Sequence, residues 1–279
     1  MMLLPCILAG ILLHPQGEPR QPIRLKAKWA EFRVLPYLVQ PSQDGIRITW
    51  FTHEGMSGKV QLTWSLGSRP MVREITSRPQ LREELGYSAL EESERSSFPD
   101  MQPGPNWKHS VLVNGLPNAT TVRYKVTQGA SEFASEFRTA PPRQRFDPMR
   151  IIAFADSETD PEGRVTKRPW AAGTQHPDST GRPEGLANYL LTETDGFRKN
   201  LEIIGSRRPS LLLIAGDIVQ GGGYQRAWDE FFYHMAGPWD TTISKVPLVP
   251  AIGNWECFGA RNGGYEPWAI HASRRKYLA

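Results

Sequence analysis

Three short clusters of oxygen-bearing side chains each close an apolar run. Ile151–Ala155 ends in Asp156-Ser-Glu158, Leu211–Ala215 ends in Gly-Asp217, and Val246–Ile252 ends in Gly-Asn254-Trp-Glu256. Carboxylates and an amide carbonyl are hard oxygen donors, suited to divalent or trivalent metal ions. A lone Asp after a strand commonly caps the next helix, but three such ends in one chain exceed what capping requires. Gly216 and Gly253 let the backbone turn sharply, so that the following side chain points into a shared site.

Continuous apolar runs of this kind suit buried parallel strands covered on both faces by helices, although the two prolines of Val246–Ile252 need a special placement. Between them lie helical spacings. Phe197, Leu201 and Ile204 follow a cap at Thr194 and stop before Pro209. Tyr224, Trp228, Phe231 and Met235 step by four, three and four, which gives a helix with a core-facing stripe. Strand and helix alternate, so the second half reads as α/β. Ligands in such folds collect outside the carboxyl ends of the strands, where the three clusters lie.

The first half has a different period. Ile46, Ile48 and Trp50, then Val60, Leu62 and Trp64, alternate with polar partners. Val111 and Val113, Val122, Tyr124 and Val126, and Phe133, Ser135 and Phe137 continue the pattern. Asp44-Gly45, Ser57-Gly58, Asn114-Gly115 and Gln128-Gly129 mark turns between them. This predicts a β-sandwich, with the polar segment from Ser77 to Pro105 as a long connection. Ala140-Pro-Pro-Arg-Gln-Arg then reads as a stiff linker.

With 25 glycines and 24 prolines in 279 residues, turn formers exceed their usual roughly 7% and 5%, which argues against a helical bundle. No stretch approaches the roughly 20 apolar residues of a membrane-spanning helix. A net charge of +4 without a basic stripe gives no reason to expect nucleic-acid binding. Met1–Leu13 resembles the apolar part of a signal peptide, so residues 1–20 are read as a leader-like segment and the protein as secreted or periplasmic. Asn118-Ala-Thr is a glycosylation sequon.

The order Asp, Gly-Asp, Gly-Asn-Trp-Glu, each closing a buried strand, resembles the pattern of calcineurin-like metallophosphoesterases. The β-domain before it narrows the resemblance to the purple acid phosphatase branch. The resemblance implies a fibronectin type III-like all-β sandwich over 33–140. It implies the N-terminal part of a four-layer α/β/β/α metallophosphoesterase domain over 148–279, incomplete at its C-terminus. It further implies two metal ions, divalent or an Fe(III)/divalent pair drawn from Fe, Mn or Zn. Asp156 would bind one, Asp217 would bridge both, and Asn254 would bind the second. The implied reaction is phosphoric monoester hydrolysis by a metal-activated hydroxide, with a phosphodiesterase or nucleotidase as the near alternative.

The sequence departs from that pattern in four places. Gln220 stands where the purple enzymes carry a tyrosinate ligand, which predicts a colourless protein. Glu158 replaces a histidine and is a candidate ligand. Trp255 replaces the usual proton-donating His; an indole donates one hydrogen bond but shuttles no proton. Glu158, Glu256 or a residue from a neighbouring loop would then have to serve as the acid. Finally, none of the six histidines sits in the family's Gly-His-x-His motif, so the chain reads as an N-terminal piece of a longer protein or as the product of a truncated gene. That leaves an inactive pseudophosphatase with an adhesion-type β-domain as an alternative. His176 and Arg182, in the Gly- and Pro-rich insert Asp160–Tyr189, are candidate phosphate contacts. Cys257 reads as a buried thiol, and His271 as a helix-surface residue.

Overall fold

In the computed structural model, residues 29–97, 103–144, 147–164, 167, 187–257 and 267–279 are described. The leader-like segment, His176 and Arg182 lie outside them, as does the Cys257 side chain. The strands are β1 (Phe32–Val39), β2 (Ile46–Thr52), β3 (Lys59–Leu66), β4 (Arg69–Thr76), β5 (Gln80–Leu81), β6 (Trp107–Val113), β7 (Thr121–Gln128) and β8 (Ser131–Arg138). Then come β9 (Ile151–Phe154), β10 (Leu211–Ile214) and β11 (Leu248–Pro250). The helices are α1 (Ala89–Ser93), α2 (Glu193–Arg207), α3 (Gln225–Met235) and α4 (Pro267–Leu278). The fold is sheet-rich, with few helices.

A four-stranded antiparallel sheet has the order β4-β3-β7-β8, and a seven-stranded sheet the order β5-β6-β2-β1-β11-β10-β9. The alternating residues of the first half meet between the two sheets: Ile48, Trp50, Val60, Leu62, Val113, Val122 and Val126 are fully buried there. The larger sheet is antiparallel from β5 to β1 and parallel from β1 to β9. It therefore runs without a break from the sandwich into the α/β part.

β1 makes that continuity workable, and it is a strand that the alternation rule misses. Its sequence, FRVLPYLV, is buried along nearly its whole length. Phe32, Leu35 and Leu38 enter the core between the sheets, while Val34 and Tyr37 enter a second core. The spacing departs from period two because the β1–β2 register shifts twice between Phe32 and Tyr37. The second shift holds Pro36, which can sit in a central strand only at such an irregularity.

The second core lies between the seven-stranded sheet and the helices. Phe197, Leu201 and Ile204 of α2 and Ala227, Trp228, Phe231 and Met235 of α3 pack with Leu212 and Ile214 of β10. Both helical stripes fall where their spacing predicts. The cap of α2 is Thr192, whose hydroxyl accepts from Asp195 N, and not Thr194, which is buried. The apolar runs are less enclosed than their composition suggests. β9 is an edge strand with Ile151 52% exposed, and β10 buries Leu212 and Ile214 but not Leu211 or Leu213. The prolines of the third run flank the short β11: Pro247 precedes it, and Pro250 is its last residue.

The connection after β4 is more ordered than a loop. Its α1 opens with a capping box: Ser88 Oγ accepts from Glu91 N, and Glu91 accepts from Ser88 N. Glu91 is fully buried and also accepts from Arg226 N at 2.9 Å. α3 has no side-chain cap of its own at Tyr224, so this distant carboxylate serves its N-terminus.

His109, in β6, stacks on Trp50 at 4.7 Å and lies against Thr52 Oγ1 and Ser77 Oγ. Burial lowers its pKa from 6.5 to about 4. Between those values the unfolded chain takes up a proton that native His109 refuses, so stability falls as pH drops through 6.5 and the penalty is complete near 4. Urea unfolding of wild type and His109→Gln across this window is expected to give a shallower pH slope for the variant. Equal slopes would contradict the assignment.

Candidate functional site

β9 and β10 pair in parallel from Ile151–Leu211 to Phe154–Ile214, so they end side by side. Their loops stay joined beyond the strands. Ala215 N donates to Phe154 O at 2.9 Å, Glu158 N to Asp217 O at 3.0 Å, Thr159 N to Ile218 O at 3.2 Å, and Gln220 N to Thr159 O at 3.1 Å. This ladder sets the spacing of the acids. Asp156, Glu158 and Asp217 each place one carboxylate oxygen within 4.8 Å of the others. Asp156 is exposed, and the other two are half-buried.

The backbone there is unusual. Asp156, Glu158 and Asp217 have φ of +56°, +37° and +52°, the left-handed region that side chains other than glycine seldom adopt. Such a backbone costs roughly 1–2 kcal/mol per residue, less for Asp than for Glu. It persists only where neighbouring contacts enforce it. Two glycines admit those contacts. A Cβ on Gly216 (φ +98°) would come 2.6 Å from Gly253 Cα, and one on Gly253 would come 2.3 Å from Asp217 Oδ1. The Gly-Asp and Gly-Asn ends of β10 and β11 therefore touch backbone to backbone.

Glu256 holds the turn in place. It is fully buried. Its Oε1 accepts from Ile218 N at 2.6 Å and Val219 N at 3.2 Å, and its Oε2 from Gly253 N at 2.7 Å and Asp217 N at 2.9 Å. Four N–H groups compensate a charge that burial would otherwise penalise heavily. The sequence reading of Glu256 as a proton donor is corrected here: both its oxygens are engaged as acceptors away from solvent, so it positions the acids. Trp255 N donates to Asp217 Oδ1 at 2.9 Å, so the residue in the expected histidine's place contributes a backbone contact.

The Asn254 amide lies 3.2 and 3.3 Å from the two Asp217 oxygens. With nitrogen inward it donates to that carboxylate. With oxygen inward it faces only acceptors, an arrangement that a cation stabilises. The acid cluster brings further hard oxygen donors to the same place. Two like charges no more than 4.8 Å apart repel by about 3.5 kcal/mol or more at an effective dielectric near 20, less where solvent screens the exposed Asp156. The donor set of Asp156, Glu158, Asp217 and Asn254 thus fits a hard metal ion. Gln220, on the same loop, has a buried Oε1 with no hydrogen-bond partner among the described residues.

Among the described residues, no histidine joins this group. His109 is in the first core. His234 is fully buried against Glu230 at 2.8 Å, and burial lowers its pKa. His271 is exposed on α4. A groove of about 440 Å³ flanks the cluster, with Ile152, Phe154, Phe197 and Ile204 beside Asp156 and Glu158.

No known family profile matches the sequence, and no curated protein matches it. Solved structures do. A purple acid phosphatase, PPD1, from yellow lupin (Lupinus luteus) seeds is similar over 87% of this chain, with a TM-score of 0.52 and 15% identity. The chain spans 38% of that enzyme's length. The sensor domain of the anti-sigma factor RsgI4 from Pseudobacteroides cellulosolvens matches 42% of the chain, with a TM-score of 0.22 and 14% identity. The first likeness establishes a partial similarity of fold to a purple acid phosphatase; the second is too low to support an argument. Among the described residues, no helix is long and apolar enough to cross a membrane.

Glu256→Gln replaces one accepting oxygen by an amide that faces N–H donors. Each lost charge-assisted bond is worth about 1.5–3 kcal/mol, so a loss of about 2–4 kcal/mol in urea unfolding is expected. A change within about 0.5 kcal/mol, the range of an ordinary surface substitution, would contradict the role given to Glu256.

Proposed function

We propose that this chain carries the oxygen-ligand half of the metal site of a phosphoric monoester hydrolase of the acid phosphatase type. The observation that carries the reading is the meeting of Asp156, Glu158 and Asp217 on left-handed backbone at the carboxyl ends of adjacent parallel strands. Asp156, Glu158, Asp217 and Asn254 would hold the metal, with Asp217 central because Asn254 and Trp255 both approach it. Two divalent ions, or an Fe(III)/divalent pair, would supply an acidic coordinated water and charge neutralisation for a phosphoryl group. The sandwich is read as fibronectin-like and the parallel strands as the start of a four-layer metallophosphoesterase domain. The likeness to the lupin enzyme supports this at the level of fold.

With Glu256 withdrawn, the candidate acids are a residue from a neighbouring loop or Glu158, the latter only where it does not ligate the metal, since a ligating carboxylate carries no proton. Glu158 belongs to the carboxylate cluster, which keeps it near any substrate bound there. Trp255 supplies no proton shuttle, and this favours a second reading: a metal-binding pseudophosphatase whose site does not turn over.

The two readings share metal binding and differ in turnover. Titration of the full chain with Mn²⁺ is expected to show binding that Asp217→Asn weakens by at least about tenfold, the lower end of what perturbing a metal site costs. Hydrolysis of p-nitrophenyl phosphate faster than of the bis-ester supports the monoesterase, and the reverse preference supports the phosphodiesterase. Because the hydrolase reading gives this chain only half of the site, the hydrolysis assays use a form that also carries the remaining metal ligands, and binding there without either hydrolysis selects the pseudophosphatase. Equal Mn²⁺ affinity in wild type and Asp217→Asn would remove all three.

A further inference from the structure

Arg226 occupies a junction that the sequence reading did not single out. Its side chain is 3% exposed, one residue into α3. Nη1 lies 2.5 Å from Glu94 Oε2, and Nε lies 3.4 Å from Asp160 Oδ2. Its backbone N donates to Glu91, and its guanidinium sits 4.9 Å over the Tyr224 ring. Glu91 and Glu94 belong to the connection between β4 and β6. Asp160 is two residues beyond Glu158 and four beyond Asp156, on the loop that carries both acids.

We propose that Arg226 is a positioning residue through which the β4–β6 connection governs the acid-bearing loop 156–160; the inference rests on the metal-site reading above. Asp160 is 5% exposed and anchors the far end of that loop. Its Oδ1 accepts from Glu162 N at 2.9 Å, and its carbonyl accepts from Gly163 N at 3.0 Å. Beside it, Thr159 Oγ1 reaches Ile218 O and Ala227 O at 3.3 Å, which ties the loop to the residue after Arg226. The first turn of α3 thus holds the acid loop from behind, and Glu91 and Glu94 hold that turn. Glu94 and Asp160 share one guanidinium, so neutralising Glu94 leaves Asp160 as a salt-bridge partner that draws Arg226 toward the acid loop, and a change at Glu94 is transmitted through Arg226 to the loop that carries Glu158 and Asp156. Lysine cannot replace this geometry, because a single ammonium lacks the planar fork that serves two carboxylates at once.

The test uses the full chain, with Mn²⁺ titration and amide hydrogen exchange read on wild type, Arg226→Lys and Glu94→Gln. Glu94→Gln is the decisive variant, because it changes the sandwich-side connection and leaves the acid loop's own sequence intact. It is expected to weaken Mn²⁺ binding by about tenfold, as loss of an outer-shell partner does. It should also speed exchange at the amides of Glu158 and Thr159 while exchange within β2 and β7 stays unchanged. Unchanged exchange at those amides overturns the proposal, whatever the unfolding midpoint does. If wild type binds no Mn²⁺, the metal reading fails and the exchange data alone decide the coupling. If Arg226→Lys does not fold, Glu94→Gln still answers the question.

Discussion

A buried carboxylate accepting four backbone N–H groups is the constraint on which the site depends. Glu256 joins the turn after β10 to the turn after β11, and Asp217 cannot take its position unless both turns close around it. The glycines at 216 and 253 follow from that closure, since any Cβ at either would fall inside the contact distance of the other turn. The left-handed backbone at Asp217 follows as well. One ionised group therefore fixes the conformation of the strand ends, and the ladder between the β9 and β10 loops carries that conformation across to Asp156 and Glu158.

The seven-stranded sheet does for the whole chain what Glu256 does for the site. β1 pairs with β2 on one side and with β11 on the other, and it feeds side chains into both cores. The backbone N–H of Leu35 donates to Ala236 O at the end of α3, and the Tyr124 hydroxyl of β7 donates to Ser244 O just before β11. Contacts of this kind make the β-sandwich a platform against which α3 and β11 are placed. The strand ends bearing the acids are therefore only as rigid as the sandwich behind them.

Much of this was legible in the residues, for identifiable reasons. Alternation exposes half-buried strands such as β3, β7 and β8, because one face meets a core and the other does not. Spacings of three and four identify α2 and α3 through Phe197, Leu201, Trp228 and Phe231. The acid clusters were visible because Gly-Asp and Gly-Asn after apolar runs are unusual pairings. β1 was not visible: a strand buried on both faces has no alternation, and Pro36 argues against a central strand until the register shift is known. The role of Glu256 was misread because sequence gives its neighbours but not its burial. Arg226 and Glu91 were missed because their partners lie 66 and 135 residues away. The Ser88-x-x-Glu91 capping box was the signal in the sequence that could have marked that connection as structured.

The central claim is that these strand ends form a cation site and not merely a cluster of surface acids. Anomalous diffraction at the manganese edge, from crystals soaked in Mn²⁺, tests it most directly. The account predicts a peak within about 2.0–2.6 Å of oxygens from Asp156, Glu158 and Asp217, with the Asn254 carbonyl turned toward the ion. A cluster with no peak, and with the Asn254 nitrogen still donating to Asp217, would contradict it.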